Sequence, residues 1–416
     1  MPSLNLNFGR RSGADLVGLD IQPGFVAAVQ ARVNGSVVAE RATSLPLPAD
    51  TVREGEVADV VALSDTLREL FAGSGLNKRV RIGVANQRTV LRTLELPPLT
   101  DRKELAAAVQ FQAQDQVPMP LNNAVLDFHP LGVVETPGGP RQRVVLVAAQ
   151  RDMIERLLAA VRGAGLRAEG IDLSAFAMIR SLYRADPEGA SRVLYLNVDG
   201  LTNLAIAEGH VCRFTRVVGS GLEGMAVELA ERRGIALTEA RELLAAIDLS
   251  EPSEAPAQAQ ADPAFVDQAD AQTGVAEDPG SENVAAADPE AHEAREREMS
   301  YEEMVAGAQQ TEAPAEQPVD ESDVRTVLEH GIHDIAGEVR NSLDFHRSQD
   351  GGGEVTRVVL SGSALDIPGF TEALQGHLRV QVEPQSVALA DESLADSLST
   401  HRLSIAAGLA TTEIEK

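Results

Sequence analysis

The sequence predicts an α/β fold of two lobes, and three observations carry that reading. Strand and helix signals alternate along the chain, and the pattern of three strands followed by helices starts again near residue 191. Apolar strands run directly into turns of glycine and small polar residues at three places, 17–24, 196–203 and 360–370. One long segment, 250–321, has almost no aromatic residues and holds most of the net negative charge, so it reads as an insertion outside both lobes.

The first half opens with strands at "LVGLD" and "FVAAVQARVNGSVVAERAT", where Asn34-Gly35 between alternating apolar runs predicts a type I′ hairpin turn. A helix over 59–73 and strands at 79–85 and 89–96 follow. The next helix starts at Asp101, with Glu104 three positions on as in a capping box, and ends before Pro118 and Pro120. Strands at 125–134 and 143–150 bracket the turn "ETPGGP". Ile154, Leu157, Leu158 and Val161 share one face of a helix that Gly165 stops, and "AEGIDLS" returns as a strand.

The second half repeats this with strands at 193–198, 203–208 and 211–218 and helices over 221–234 and 238–247. Val324, Leu328, Ile332, Ile335, Val339 and Leu343 step by three or four residues, the stripe of one long amphipathic helix. A buried strand in "EVTRVVLSGS", a helix in "GFTEALQGHL" and a terminal helix in "HRLSIAAGLATTEI" complete it. Expected domains are a tail at 1–12, a first lobe at 13–190 with a small subdomain at about 88–170, and a second lobe at 191–416.

Composition excludes several functions. The formal charge of −27 opposes a nucleic-acid surface, which needs clustered Lys and Arg. Much of that charge is local: Glu251–Ser322 has nineteen acidic residues against Arg295 and Arg297, a net of −17. That segment cannot bury enough apolar area to offset its ordering entropy and is expected to be disordered. No apolar run approaches the roughly 20 residues that span a bilayer. The first residues contain no apolar stretch before Arg10-Arg11, so a cytoplasmic location is expected. Cys212 is the single cysteine and is expected to be core packing, while His330, His333 and His346 on one helix lack a second ligand-bearing segment and suggest no metal centre.

Turns such as the three after apolar strands let backbone N–H groups approach an anion. At these turns, and in "ELAAAVQFQAQDQVPMPLNNAVLDFHPLG", "GLRAEGIDLSAFAMIRSL", "FTRVVGSGLEGMAVELAERRGIALTEARELL", "EVRNSLDFHRSQ" and "LSGSALDIPGFTEAL", the chain resembles the PilM family of type IV pilus assembly proteins. These are actin-fold relatives of the cell-division protein FtsA. The resemblance implies a two-lobed actin-like fold of ribonuclease H-like repeats with the small subdomain that PilM and FtsA share. It implies a nucleotide cleft in which Asp20, Gln22 and Gly24 form the first phosphate turn and Asn197, Asp199, Gly200 and Thr202 the second. Gly362 and Ser363 match the adenosine turn, and Gly219, Ser220 and Gly221 border the cleft. ATP with Mg²⁺ is the implied ligand, the ion held through water by Asp20 and Asp199.

The chain departs from the family pattern at the cleft. Gln22-Pro23-Gly24-Phe25 stands where the family has a hydroxyl-rich turn, and Pro23 supplies no N–H. Asn197 stands where a metal-organising aspartate is expected, and an amide holds hydrated Mg²⁺ less well than a carboxylate. Asp199 could substitute from two residues on, or serve as the acidic residue of an Asp-Gly turn. The expectation is a scaffold with little ATP hydrolysis, bound to the N-terminal tail of a PilN-like membrane protein and, through it, to other components of the pilus inner-membrane complex. Leu105, Val109, Gln112, Met119 and Asp127 are the expected lining of the tail groove, although an amphipathic helix equally buries its stripe in its own subdomain. An active actin-fold ATPase or sugar kinase and an FtsA-like filament protein are the rival readings.

Overall fold

The computed structural model describes residues 16–185, 191–250, 321–349, 352–396 and 398–411. The expected N-terminal tail and nearly all of the acidic insertion lie outside these residues.

In the first lobe, β1 (Val17–Gln22), β2 (Phe25–Val33) and β3 (Val37–Pro46) form an antiparallel meander. The short pair β4 (Val52–Arg53) and β5 (Glu56–Val57) leads into α1 (Val60–Phe71), capped by the Asp59 carboxylate on the N–H groups of Val61 and Ala62. Next, β6 (Arg79–Val84) lies parallel to β1. The chain then leaves to form β7 (Val90–Leu96), α2 (Arg102–Gln116), β8 (Ala124–Thr136) and β9 (Gly139–Gln150). It returns through α3 (Arg151–Gly163) to β10 (Arg167–Leu173), parallel to β6, and then α4 (Ser174–Leu182).

The second lobe repeats this scheme. β11 (Arg192–Val198), β12 (Thr202–Glu208) and β13 (Val211–Val218) form the meander, followed by α5 (Leu222–Arg233), α6 (Leu237–Ala246) and α7 (Glu321–Ser348). β14 (Arg357–Ser361), α8 (Phe370–Leu378) and β15 (Val382–Pro384) complete the five-stranded sheet, with β14 parallel to β11 and β15 parallel to β14. The orders β3-β2-β1-β6-β10 and β13-β12-β11-β14-β15 are the same topology twice, as expected for two related halves.

The chain end corrects the expected lobe boundary. β16 (Ala388–Leu389) pairs with β3, and α9 (Ser404–Ala410) packs beneath β1 and β2, so residues after 387 belong to the first sheet. Together α4 and α9 fill the space between the two sheets. Ala406, Ala407 and Ala410 meet Phe25, Ala27 and Val29 on one side, while Ile405 and Leu409 meet Tyr195, Ala205 and Val359 on the other. Small residues permit backbone-to-backbone contact here: a methyl at Gly408 would overlap the Ala177 carbonyl, and one at Gly18 would overlap that of Ala406. Arg81 donates to the carbonyls of Leu409 (3.1 Å) and Thr411 (2.7 Å), and Arg180 to that of Gly408 (3.1 Å), which satisfies the C-terminal end of α9 inside the protein. Arg180 is neutralised by Asp172 at 2.5 Å.

Two further expectations change. The excursion from the first sheet is a three-stranded sheet, β7-β9-β8, backed by α2, whereas α3 packs with α1 on the six-stranded sheet. The small subdomain therefore closes at Gln150 and not near 170. The β2–β3 loop holds three residues and not two, because Val33 pairs with Val37 and only Gly35 has a positive φ. A two-residue turn would shift the register and take buried Val37 and Ala39 off the core face. Asp101 caps α2 as expected, accepting from Lys103 and Glu104 N–H groups.

Gly408→Val should lower the free energy of unfolding by about 1–3 kcal/mol or more, since neither backbone can retreat. Gly376→Ala, inside α8 with open space around it, should raise it by about 0.5–1 kcal/mol. Urea denaturation of the two variants checks the opposite signs.

Candidate functional site: an inter-lobe cleft and a subdomain crevice

The hairpins β1–β2 and β11–β12 point their turns at each other. In the first, Pro23 and Gly24, φ +90°, join Gln22 to Phe25. In the second, Asp199, Gly200 and Leu201 join Val198 to Thr202. The two turns touch: a methyl at Gly200 would overlap the Pro23 carbonyl, so only glycine permits the approach. Gly221 backs onto the carbonyls of Asp199 and Gly200.

Behind the turns lies a cluster of buried polar side chains. Gln22 Nε2 donates to both Asp20 oxygens at 3.2 and 3.3 Å. Asp199 Oδ1 accepts from Ser363 N (2.7 Å) and Ser363 Oγ (2.6 Å), tying the β11–β12 turn to the turn after β14. Asn197 Nδ2 donates to Ser361 Oγ at 3.2 Å. Four buried oxygens in this cluster have no hydrogen-bond partner: Gln22 Oε1, Asn197 Oδ1, Asp199 Oδ2 and Thr202 Oγ1. Burial, with the like charge of Asp199 beside it, pushes the Asp20 carboxyl up to about 8. Burial also raises Asp199, against the opposing pull of Arg402 and of the Ser363 hydrogen bonds.

On one side of the turns a cavity of about 450 Å³ is lined by Gly24, Gly200, Ser363, Glu223, Arg241 and Arg402, among others. Its cations are engaged: Arg241 forms a two-pronged pair with Glu223 (Nε to Oε2, 2.8 Å), and the Arg402 guanidinium lies 4.8 Å from the centre of the Phe25 ring. Gly362 sits at φ +98° at the start of the turn after β14. Gly219 and Ser220 line a different cavity, beside β13, and so part from the other cleft residues.

The residues match the expected ligand unevenly. Unpartnered oxygens beside two carboxylates suit a hydrated cation, and the cavity could hold a nucleoside. Donors for a triphosphate are scarce, because Ser363 is committed to Asp199, Pro23 has no N–H and Arg241 is committed to Glu223.

The tail-groove expectation divides. Leu105 and Val109 are buried against Leu94, Leu96, Val144 and Leu146 on the outer face of the three-stranded sheet, and Met119 packs at the edge of that core. Gln112 is half-buried on α2. Leu105, Val109 and Met119 thus pack within their own subdomain. Strand alternation is the reason: Val144, Leu146 and Ala148 face α2, while Val145, Val147 and Ala149 face the first lobe. Asp127 pairs with Val147 and so lies on the inner face. There it joins Val125, Ala149, Asp172 and Phe176 around a narrow crevice of about 40 Å³. Asp172 and Phe176 were legible as residues but not as neighbours of Asp127, since only the fold brings β10 and α4 against β8.

The two lobes, their repeated topology and the facing hairpins define an actin-like protein. Residues 18–252 match the family described as Type IV pilus assembly protein PilM, and the chain belongs to that family. A PilM-PilN type IV pilus biogenesis complex is similar to it over 96% of this chain and 98% of that one, at 20% identity and a TM-score of 0.66. The ethanolamine utilization protein EutJ from Carboxydothermus hydrogenoformans is similar at 14% identity, 95% and 88% coverage and a TM-score of 0.45. MreB 5 of Spiroplasma citri bound to AMPPNP is similar at 12% identity, 94% coverage of each chain and a TM-score of 0.45.

Because the folded state holds the Asp20 proton to about pH 8 while an unfolded aspartate releases it near 4, stability should be greatest below pH 4 on this account and fall as pH rises toward 8. Asp20→Asn should reduce that slope, since only the raised Asp199 then remains, leaving a variant more stable than wild type at pH 8, by up to a few kcal/mol, and equal to it near pH 4. Chemical denaturation across that window checks it.

Proposed function

We propose that this chain is a scaffold of type IV pilus assembly that docks the extended N-terminal tail of a PilN-like membrane protein in the crevice between the three-stranded sheet and the first lobe. The observation that carries this reading is the crevice itself. It has apolar walls of Val125, Val147, Ala149 and Phe176, and the Asp127 carboxylate in its lining can accept a hydrogen bond from a peptide. The likeness to a PilM-PilN complex supports the choice of partner. Among the described residues no helix is long and apolar enough to cross a membrane. In this reading the partner holds the chain at the inner face of the cytoplasmic membrane.

In this reading the cleft between the hairpins binds ATP and Mg²⁺ weakly and hydrolyses little. Asn197, Asp199 and Asp20 would receive the hydrated ion, whose charge would offset their crowding. The chain's own contribution is to hold the two turns together through Gly200 and Pro23.

A peptide with an Asn-Leu-Leu-Pro core, copied from the partner's tail, should bind with roughly micromolar affinity, about 8 kcal/mol. Asp127→Arg and Phe176→Ala should each weaken it tenfold or more by calorimetry, and Gln112→Arg, on α2, should not. Normal binding by both crevice variants would exclude this site.

Asn197→Asp adds a third carboxylate beside Asp20 and Asp199. Without metal its melting temperature should fall below wild type, and Mg²⁺ with ATP should restore it and bind more tightly than in wild type. A variant indifferent to Mg²⁺ would remove the cation from this account.

A further inference from the structure

The crevice at Asp127 is too small to hold a peptide by itself. Its volume of about 40 Å³ has room for roughly three waters, whereas sites that enclose a ligand measure about 300–1,000 Å³. A larger cavity of about 620 Å³ adjoins it. Val84, the last residue of β6, and Leu173, the last of β10, line both. A chain seated in the crevice therefore meets the larger cavity on passing these two side chains.

The lining of that cavity calls for an uncharged hydrogen-bond acceptor. Asn203 lines it from β12, is 1% exposed, and its Nδ2 has no hydrogen-bond partner. Thr89 Oγ1, also in the lining, is buried without one. Arg216 is the one cation among the described residues of the lining, and it pairs at 2.7 Å with Glu338 of the same lining, so an anion would meet no free charge there. Residues 215–218 of β13 form a further wall, and the far edge of β13 pairs with no strand among the described residues. A buried amide donor without a partner costs free energy that a ligand carbonyl recovers. An unpaired strand edge offers hydrogen bonds to extended backbone. The carbonyls and neutral side chains of an extended peptide meet all of these demands.

We propose that the larger cavity holds the residues that flank the core of the docked tail, as a neutral extended segment. This rests on docking of the tail in the crevice and adds where the rest of the peptide lies. The crevice takes part of the core, the cavity takes the flank, and the two form one groove that passes over Val84 and Leu173. A charged flank is disfavoured, because Arg216 and Glu338 satisfy each other and the Val84, Leu173 and Ala175 side chains cannot solvate a charge.

Calorimetry on the full chain tests this with three peptides: the Asn-Leu-Leu-Pro core alone, the core preceded by Ser-Asn-Thr-Ala, and the core followed by it. Four extended residues add about 13 Å of reach. One of the two longer peptides should bind about tenfold more tightly than the core, through the donors that the cavity leaves unpaired. Asn203→Leu, and Gln87→Trp at an exposed lining position beside Gly219, should each abolish that gain. The core alone should bind both variants as it binds wild type, which also shows that they fold. If neither longer peptide gains affinity, or the gain survives both cavity variants, while Asp127→Arg still weakens the core, the flank lies elsewhere and this proposal alone is overturned. If Asp127→Arg and Phe176→Ala both leave the core's affinity unchanged, the crevice reading fails and this proposal fails with it.

Discussion

The backbone contact of α9 with β1 and α4 is the constraint on which the rest depends. Gly408 against Ala177 and Gly18 against Ala406 let the last helix lie between two sheets at a spacing that larger side chains would forbid. Arg81 and Arg180 then bond the carbonyls of Gly408, Leu409 and Thr411, so the helix end is met by donors inside the protein. With α4 and α9 fixed, β1 and β11 are held facing each other, and their hairpin turns meet at Gly200 and Pro23. The two lobes are thus joined through direct protein contacts of α4, α9 and the two turns.

That constraint shapes the chemistry. Turns that meet directly leave little room and few donors for phosphate, and the Asp199 carboxylate is turned toward Ser363. Asp172 serves both regions. It neutralises Arg180 under α9 and also borders the crevice beside Asp127. A peptide in the crevice would thus touch a residue already bonded into the inter-lobe core.

Much of the fold was legible in the sequence. The stripe from Val324 to Val339 is buried as its spacing requires, and Asp101 and Asp59 cap helices as their positions suggest. What periodicity cannot say is which neighbour a face meets. Leu105 and Val109 are an apolar stripe whether they line a groove or pack a subdomain, and they pack. The return of α9 to the first lobe had a signal, because "SIAAGLA" has no polar face and so must be buried all round, but its partner is a long-range fact. Asp199 joins Ser363 across 164 residues, beyond any local pattern. The Asn34-Gly35 turn was misread for a physical reason: register with buried Val37 outweighs the dipeptide's own preference.

The central claim is that docking at the crevice is independent of the nucleotide cleft. Titrating the partner-tail peptide with and without saturating ATP and Mg²⁺ measures their coupling directly, since any free energy shared between the sites appears as a ratio of dissociation constants. The account predicts a ratio close to one. A ratio of about ten or more, roughly 1.4 kcal/mol of coupling, would contradict it and show that the lobes move with the nucleotide.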